Sequence, residues 1–215
     1  MFGVQYLKTG PTQYVLHYQS GRIRHKGAGQ AFFYYKPSSS IAVVPISSTD
    51  APFIFNEVTS DFQAVTVQGQ LTYRITNPEH VASLLDYTIE NSPDKYNSDD
   101  PEKLSQRLVN LAQVLTRGEI QTRPLRDAIR ASDEIARSVL EHLSQSEAMQ
   151  ALGVEVLTFA VLAIKPSPEM SRALEAEARE LLLRQADNAI YDRRNSAVEQ
   201  ERRIKENELN TEIAV

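Results

Sequence analysis

The strongest pattern in the chain lies between Asp61 and Thr76, where apolar and polar positions alternate residue by residue. Val65, Val67, Gly69, Leu71, Tyr73 and Ile75 fall on one side, and Thr66, Gln68, Gln70, Thr72, Arg74 and Thr76 on the other. A period of two belongs to a strand with one buried and one wet face. Gly69 interrupts the apolar side and marks a bulge or a bend. Four shorter segments also read as strands: TQYVLHYQ (12–19), QAFFYYK (30–36), SIAVVPIS (40–47) and APFIFNEVTS (51–60). Each is bounded by Gly, Pro, Ser or Asp. Between the first two, RIRHKGAGQ (22–30) reads as a turn-rich basic loop.

Helical spacing takes over after Asn77-Pro78. Asn77 is the expected cap, Pro78 the first helical residue, and Val81, Leu84 and Leu85 the buried stripe. A polar loop, NSPDKYNSDDP (91–101), leads to a second helix opening at Asp100-Pro101. There Leu104, Leu108, Leu111 and Leu115 stand four, three and four apart, and Gly118 is expected to break the helix. Helical pattern resumes over 124–130, then after a Ser132 cap through Ile135, Val139, Leu140 and Leu143. A short helix through Met149 and Leu152 ends at Gly153, a natural left-handed cap. VEVLTFAVLAIK (154–165) is apolar on both faces beyond Thr158, so it is either a central strand or one covered by helices on one side. Strands first, helices next and one late strand together predict an α+β domain, a largely antiparallel sheet with helices packed on one side.

From Ser167 to Val215 the pattern changes again. Nothing after Pro168 is Pro or Gly, and Ala, Leu, Glu, Arg and Gln dominate. Ser167 can cap the first turn, Pro168 suits the first helical position, and Glu169 favours the positive end of the dipole. A single helix of this length spans roughly 70 Å and cannot bury itself against its own domain. Leu174, Ala178, Leu181, Leu182 and Ala189 make a side dominated by small residues. Ile190, Ala197 and Ile204 then repeat at seven, with polar Arg193, Gln200 and Asn207 between them. That seam is too thin for a self-sufficient two-stranded coil. It fits helices standing side by side in a homo-oligomer; the alternative is one solvated helix. The expected division is a domain over 1–166 and an assembly helix over 167–215.

Composition narrows the chemistry. At 41% hydrophobic and 24% charged, the chain reads as an ordinary soluble globular protein. A net charge of −5 and a pI near 5.5 argue against nucleic acid as a partner. The absence of cysteine excludes disulfides, thiolate catalysis and thiolate metal sites. No run approaches the roughly 18 apolar residues of a membrane helix, and Met1 to Gly10 has no signal-peptide core. A cytoplasmic location follows as the expectation. His17, His25, His80 and His142 are dispersed, with no pair at helical i, i+4 spacing. Gly27-Ala28-Gly29 lacks a third glycine and precedes aromatic strand residues, so the dinucleotide-turn context fails. No nucleophile elbow or P-loop occurs. No catalytic, metal or cofactor site is therefore expected. Arg22, Arg24 and Lys26 stand close to Phe32, Phe33, Tyr34 and Tyr35. Such a mixture suits peripheral contact with an anionic membrane surface, where each cation contributes about 1 kcal/mol. The alternative is that alternate aromatics fill the sheet core while the cations are solvated.

LTYRITNP (71–78), a helical middle and ALGVEVLTFAVLAIKPSPEMSRALEAEARE (151–180) together resemble the SPFH or band 7 family of stomatins, prohibitins, flotillins and bacterial protease-regulating relatives. Tyr73, Arg74, Asn77, Pro78, Gly153, Val154, Ile164, Pro166 and Pro168 stand at the motif positions. GAGQAFFYYKP (27–37) is similar to the family's N-terminal Gly-x-Gly aromatic segment. The resemblance implies a non-catalytic oligomeric scaffold, often a ring or cage lying on a membrane, that organises lipid or partner proteins. A small adaptor regulating a membrane-bound protease is the alternative it leaves. Two departures stand out: no N-terminal membrane helix, hairpin or acylated cysteine is present, and the chain stops at Val215 in mid-pattern, as a fragment or truncated chain would.

Overall fold

The computed structural model of the protein describes residues 3–90, 92, 93 and 95–213, with side chains as far as Asn207. Met1, Asn91 and Asp94 of the predicted loop, and Val215 at the end of the predicted helix, lie outside the described residues. The strands are β1 (Val4–Lys8), β2 (Gln13–Gln19), β3 (Arg22–Ala28), β4 (Ala31–Tyr35), β5 (Ser39–Pro45), β6 (Thr49–Val58), β7 (Ala64–Ile75) and β8 (Val154–Pro166). The helices are α1 (Pro78–Leu84), α2 (Asp100–Gln121), α3 (Leu125–Arg130), α4 (Ser132–Gln145), α5 (Glu147–Leu152) and α6 (Pro168–Ile213). The class is α+β, with antiparallel sheets and a long C-terminal helix. Two compact units divide the chain, Met1–Pro166 and Ser167–Val215.

In the first unit the described strands make a β1–β4 ribbon and two three-stranded sheets, β3-β2-β5 and β6-β7-β8. The alternation predicted for β7 holds: Val65, Val67, Leu71, Tyr73 and Ile75 are buried, and the intervening residues reach solvent. Burying that face against α2 and α4 fixes the register, because a slip of one residue would turn every apolar side chain outward. Phe53 and Phe159, from the flanking strands, stack across it with ring centroids 5.0 Å apart. Gly69 sits between them for a steric reason: a Cβ there would collide with the Ala160 carbonyl and the Phe53 ring. The β7–β8 register shifts at Gln68/Gly69, so the predicted bulge is present. Asn77 Oδ1 accepts the His80 N–H at 3.1 Å and caps α1. Gly153, at φ 67°, ends α5 in the left-handed conformation that a Cβ disfavours.

Several expectations fail on long-range grounds. The basic segment is strand β3 and not a loop, because β2 supplies a complete ladder from Tyr14↔Ala28 to Gln19↔Arg22. Gly118 lies within α2, where burial of Thr116 and Ile120 on either side of it outweighs the roughly 1 kcal/mol that a helical glycine costs. Leu84 is exposed because α1 ends there, leaving Val81 and Leu85 to pack. Leu111 and Leu115 are half-buried; Ala112, Thr116 and Ile120 continue the buried stripe of α2 instead. Ser132 is the first residue of α4, and no side chain caps that helix. Among the described residues β8 pairs only with β7, so it is a strand covered by helices on one side, not a central one.

The second unit is α6, capped where Ser167 Oγ accepts the Met170 N–H at 3.4 Å. Its 46 residues correspond to about 69 Å of helix.

Candidate functional site

The first candidate surface begins with an element that periodicity reveals only in hindsight. In VQYLK, Val4, Tyr6 and Lys8 alternate with Gln5 and Leu7, and β1 pairs with β4 through Val4↔Tyr35, Tyr6↔Phe33 and Leu7↔Phe32. The pleat therefore splits the aromatic run in two. Phe32 and Tyr34 turn inward, onto a cluster of Leu7, Val15, Ile41, Val43 and Ile89. Tyr34 donates its hydroxyl to Gln5 Oε1 at 2.7 Å. Phe33 and Tyr35 turn outward, Phe33 with 73% of its surface exposed, and join Val4 and Tyr6 on one face. The Tyr6 and Phe33 rings meet at 4.9 Å. Half of the aromatics thus fill the core and half are displayed.

Beneath the ribbon, Phe32 stacks on His25 at 4.8 Å and on His17 at 5.1 Å. His17 is buried and shares a hydrogen bond with Ser39 Oγ at 2.9 Å, while its Nδ1 has no partner. Burial first, and the neighbouring His25 and Arg24 second, hold its pKa below the ordinary histidine value.

The predicted cations do not act as one group. Lys26 Nζ lies 2.9 Å from Glu79 Oε1, which also accepts the Tyr14 hydroxyl at 2.8 Å. The hydrogen bond from Lys26 and then that from Tyr14 keep the Glu79 carboxyl below its usual range. Arg24 donates to Gln19 Oε1 at 2.7 Å, and Arg22 is exposed. A wider signal surrounds them. Between the first residue and Thr49 the chain has five cations, Lys8, Arg22, Arg24, Lys26 and Lys36, and no carboxylate. The rest of the chain, with 18 cations and 28 carboxylates, therefore carries a net charge of −10.

The second candidate surface is α6. Leu174 is half-buried, and from Glu175 to Asn207 every side chain is exposed, including Ala178, Leu181, Leu182, Ala189, Ile190, Ala197 and Ile204. Leu183, overlooked in the sequence reading, stands seven before Ile190 and extends that seam backward. Apolar residues are spread around the helix and do not form one stripe, unlike those of α2 and α4. Glu199 and Arg203 form an i, i+4 pair at 2.9 Å.

Among the described residues there is no cluster of three or more His, Asp or Glu able to hold a metal ion. Nor, among them, is any helix long and apolar enough to cross a membrane.

No curated protein matches the chain. A family model described as SPFH domain / Band 7 family matches residues 7–207. That span contains β2 through β8, the helices between them and most of α6. By that match the chain belongs to the SPFH domain / Band 7 family.

Proposed function

We propose that this chain is a non-catalytic scaffold that self-assembles through α6 into a ring- or cage-like homo-oligomer. Its domain rests on an anionic membrane surface through the outer face of the β1–β4 ribbon. The observation that carries the reading is the unbroken exposure of α6 from Glu175 to Asn207. Leu181, Leu182, Leu183, Ile190, Tyr191, Val198 and Ile204 all stand in solvent. Sequestering such side chains is worth about 1.5–3 kcal/mol each. Seven of them supply on the order of 10 kcal/mol toward association, before its entropic cost. Their spread around the helix suits contact with neighbours on two flanks. On the ribbon, Tyr6 and Tyr35 combine an apolar body with a polar tip, as interfacial residues do. The acid-free N-terminal segment complements anionic headgroups.

The test is particle mass by light scattering. The full chain should weigh many times 24.2 kDa. Ala189→Pro, which costs about 3 kcal/mol in a helix interior, should leave the strand signal intact and reduce the mass. A particle of unchanged size would refute assembly through α6.

A further inference from the structure

The β1–β4 ribbon rests on a pair of histidines. His17 on β2 and His25 on β3 are partners in the ladder, and their rings stack 5.5 Å apart, parallel within 4°. Phe32 of β4 stacks on both, and Tyr34 meets His17 edge-on at 6.1 Å. His17 is only 3% exposed. Its Nε2 shares the bond with Ser39 Oγ, so in either neutral tautomer the buried Nδ1 is without a partner. A proton on Nδ1 would need an acceptor that the closed ribbon does not supply. The Phe32 face attracts an imidazolium, but lying within 21° of the His17 plane it cannot accept an in-plane N–H. Among the described residues, the charged or titratable groups facing the ring are His25 and Arg24 on β3 and the Tyr34 hydroxyl on β4. Ser39 on β5 and Gln5 and Leu7 on the inner side of β1 are uncharged. No carboxylate precedes Asp50, and Glu79 is bound by Lys26, whose pleat position puts it on the sheet face opposite His25.

The ribbon is also built to come away. Among the described residues β1 and β4 pair with each other, and no ladder joins them to either three-stranded sheet. The bonds at its ends are internal: Thr9 N–H donates to the Gln30 carbonyl at 3.0 Å, and Lys36 N–H to the Gly3 carbonyl at 2.8 Å. Packing of Leu7, Phe32 and Tyr34 on Val15, Ile41, Val43 and Ile89 holds it down. Such an element opens at lower cost than strands tied into a sheet. We propose that the ribbon is an acid-released strap: a proton taken up at His17 lifts Phe32 off the histidine pair while both three-stranded sheets stay folded. The depressed pKa of His17 agrees in sign, because burial, and then His25 and Arg24, penalise the charged ring only while the strap is closed. The inference rests on the membrane reading only for its consequence, that acid regulates contact through the ribbon's outer face. The strap itself is read without lipid, so either can fail alone.

Hydrogen exchange of the full chain, read by mass spectrometry at pH 7.5 and pH 5.5, tests this. Rates are divided by those of an unstructured chain at the same pH. A lifted two-stranded ribbon is marginal in water and exposes its amides. Protection over 4–8 and 31–35 should fall several-fold at pH 5.5 while β7 stays protected. The ceiling is about tenfold, which one proton with an ordinary histidine pKa allows at that pH. His17→Asn should abolish the fall. If that variant lacks β7 protection already at pH 7.5, His25→Gln decides, since His25 is exposed. Removing one like charge from the closed strap should shrink the fall. Unchanged ribbon protection in the parent, an equal loss over β7, or an undiminished fall in either folded variant would overturn the proposal.

Discussion

Arg117 Nε lies 2.8 Å from Glu57 Oε2, so a half-exposed guanidinium on α2 neutralises a carboxylate that is only 3% exposed on the inner face of β6. Gln113 donates to the other oxygen at 2.9 Å. Removing one partner of such a pair strands a buried charge, whereas replacing both with apolar groups is close to neutral. Arg117→Leu should therefore lower stability, and adding Glu57→Leu should restore most of the loss. Urea unfolding followed by tyrosine fluorescence reads this directly, since the chain has no tryptophan. Strictly additive losses would show that the pair is not coupled.

Membrane contact through the ribbon makes a specific demand on the Tyr6–Phe33 pair. Tyr6→Asp with Phe33→Asp should abolish co-flotation with vesicles containing anionic lipid, with circular dichroism unchanged. Arg22→Ser with Arg24→Ser should weaken binding by roughly 30-fold at low salt, at about 1 kcal/mol per cation. Phe32, which faces the core, should instead affect stability when truncated. Undiminished flotation of the double Asp variant would remove the ribbon from the proposal.

Acid should weaken the domain through His17. Its folded-state pKa is depressed, so the unfolded chain takes up a proton first as pH drops below about 6.5. Stability is then lost from that point down to the folded-state pKa, below which this group contributes no further change. His25 on β3 stacks on the ring at 5.5 Å and, with the charge of nearby Arg24, opposes its charging, while β4 offers it Phe32 and Tyr34 and β5 offers Ser39. His17→Asn should lower stability at pH 7.5 and flatten its decline toward pH 5.5. Parallel melting curves for parent and variant across that range would assign the acid sensitivity elsewhere.

Much of this fold is readable before any coordinates because the relevant forces are local. The β7 alternation, the Asn77 cap, the Gly153 terminus and the unbroken helical composition after Pro168 each depend on neighbours within a few residues. The alternation marks Gly69 as a bulge or a bend, although the reason for it, the close approach of Ala160 and Phe53, spans far more sequence. The ribbon was half legible: QAFFYYK announces a strand, but nothing in it says which aromatics face solvent. Val4 and Tyr6 were missed because a five-residue strand carries too few alternations to stand out.

The sequence by itself determined the period of β7 and of the longer helices, most of their termini and the presence of a helix longer than its own domain can cover. Tertiary structure alone decided that the basic segment is a strand, that Gly118 is tolerated, that Glu57 is buried beside Arg117 and that Phe33 looks out while Phe32 looks in. The division has one physical cause. Periodicity and capping come from contacts between near neighbours along the chain, whereas the identity of a buried face is set by whichever distant element arrives to cover it.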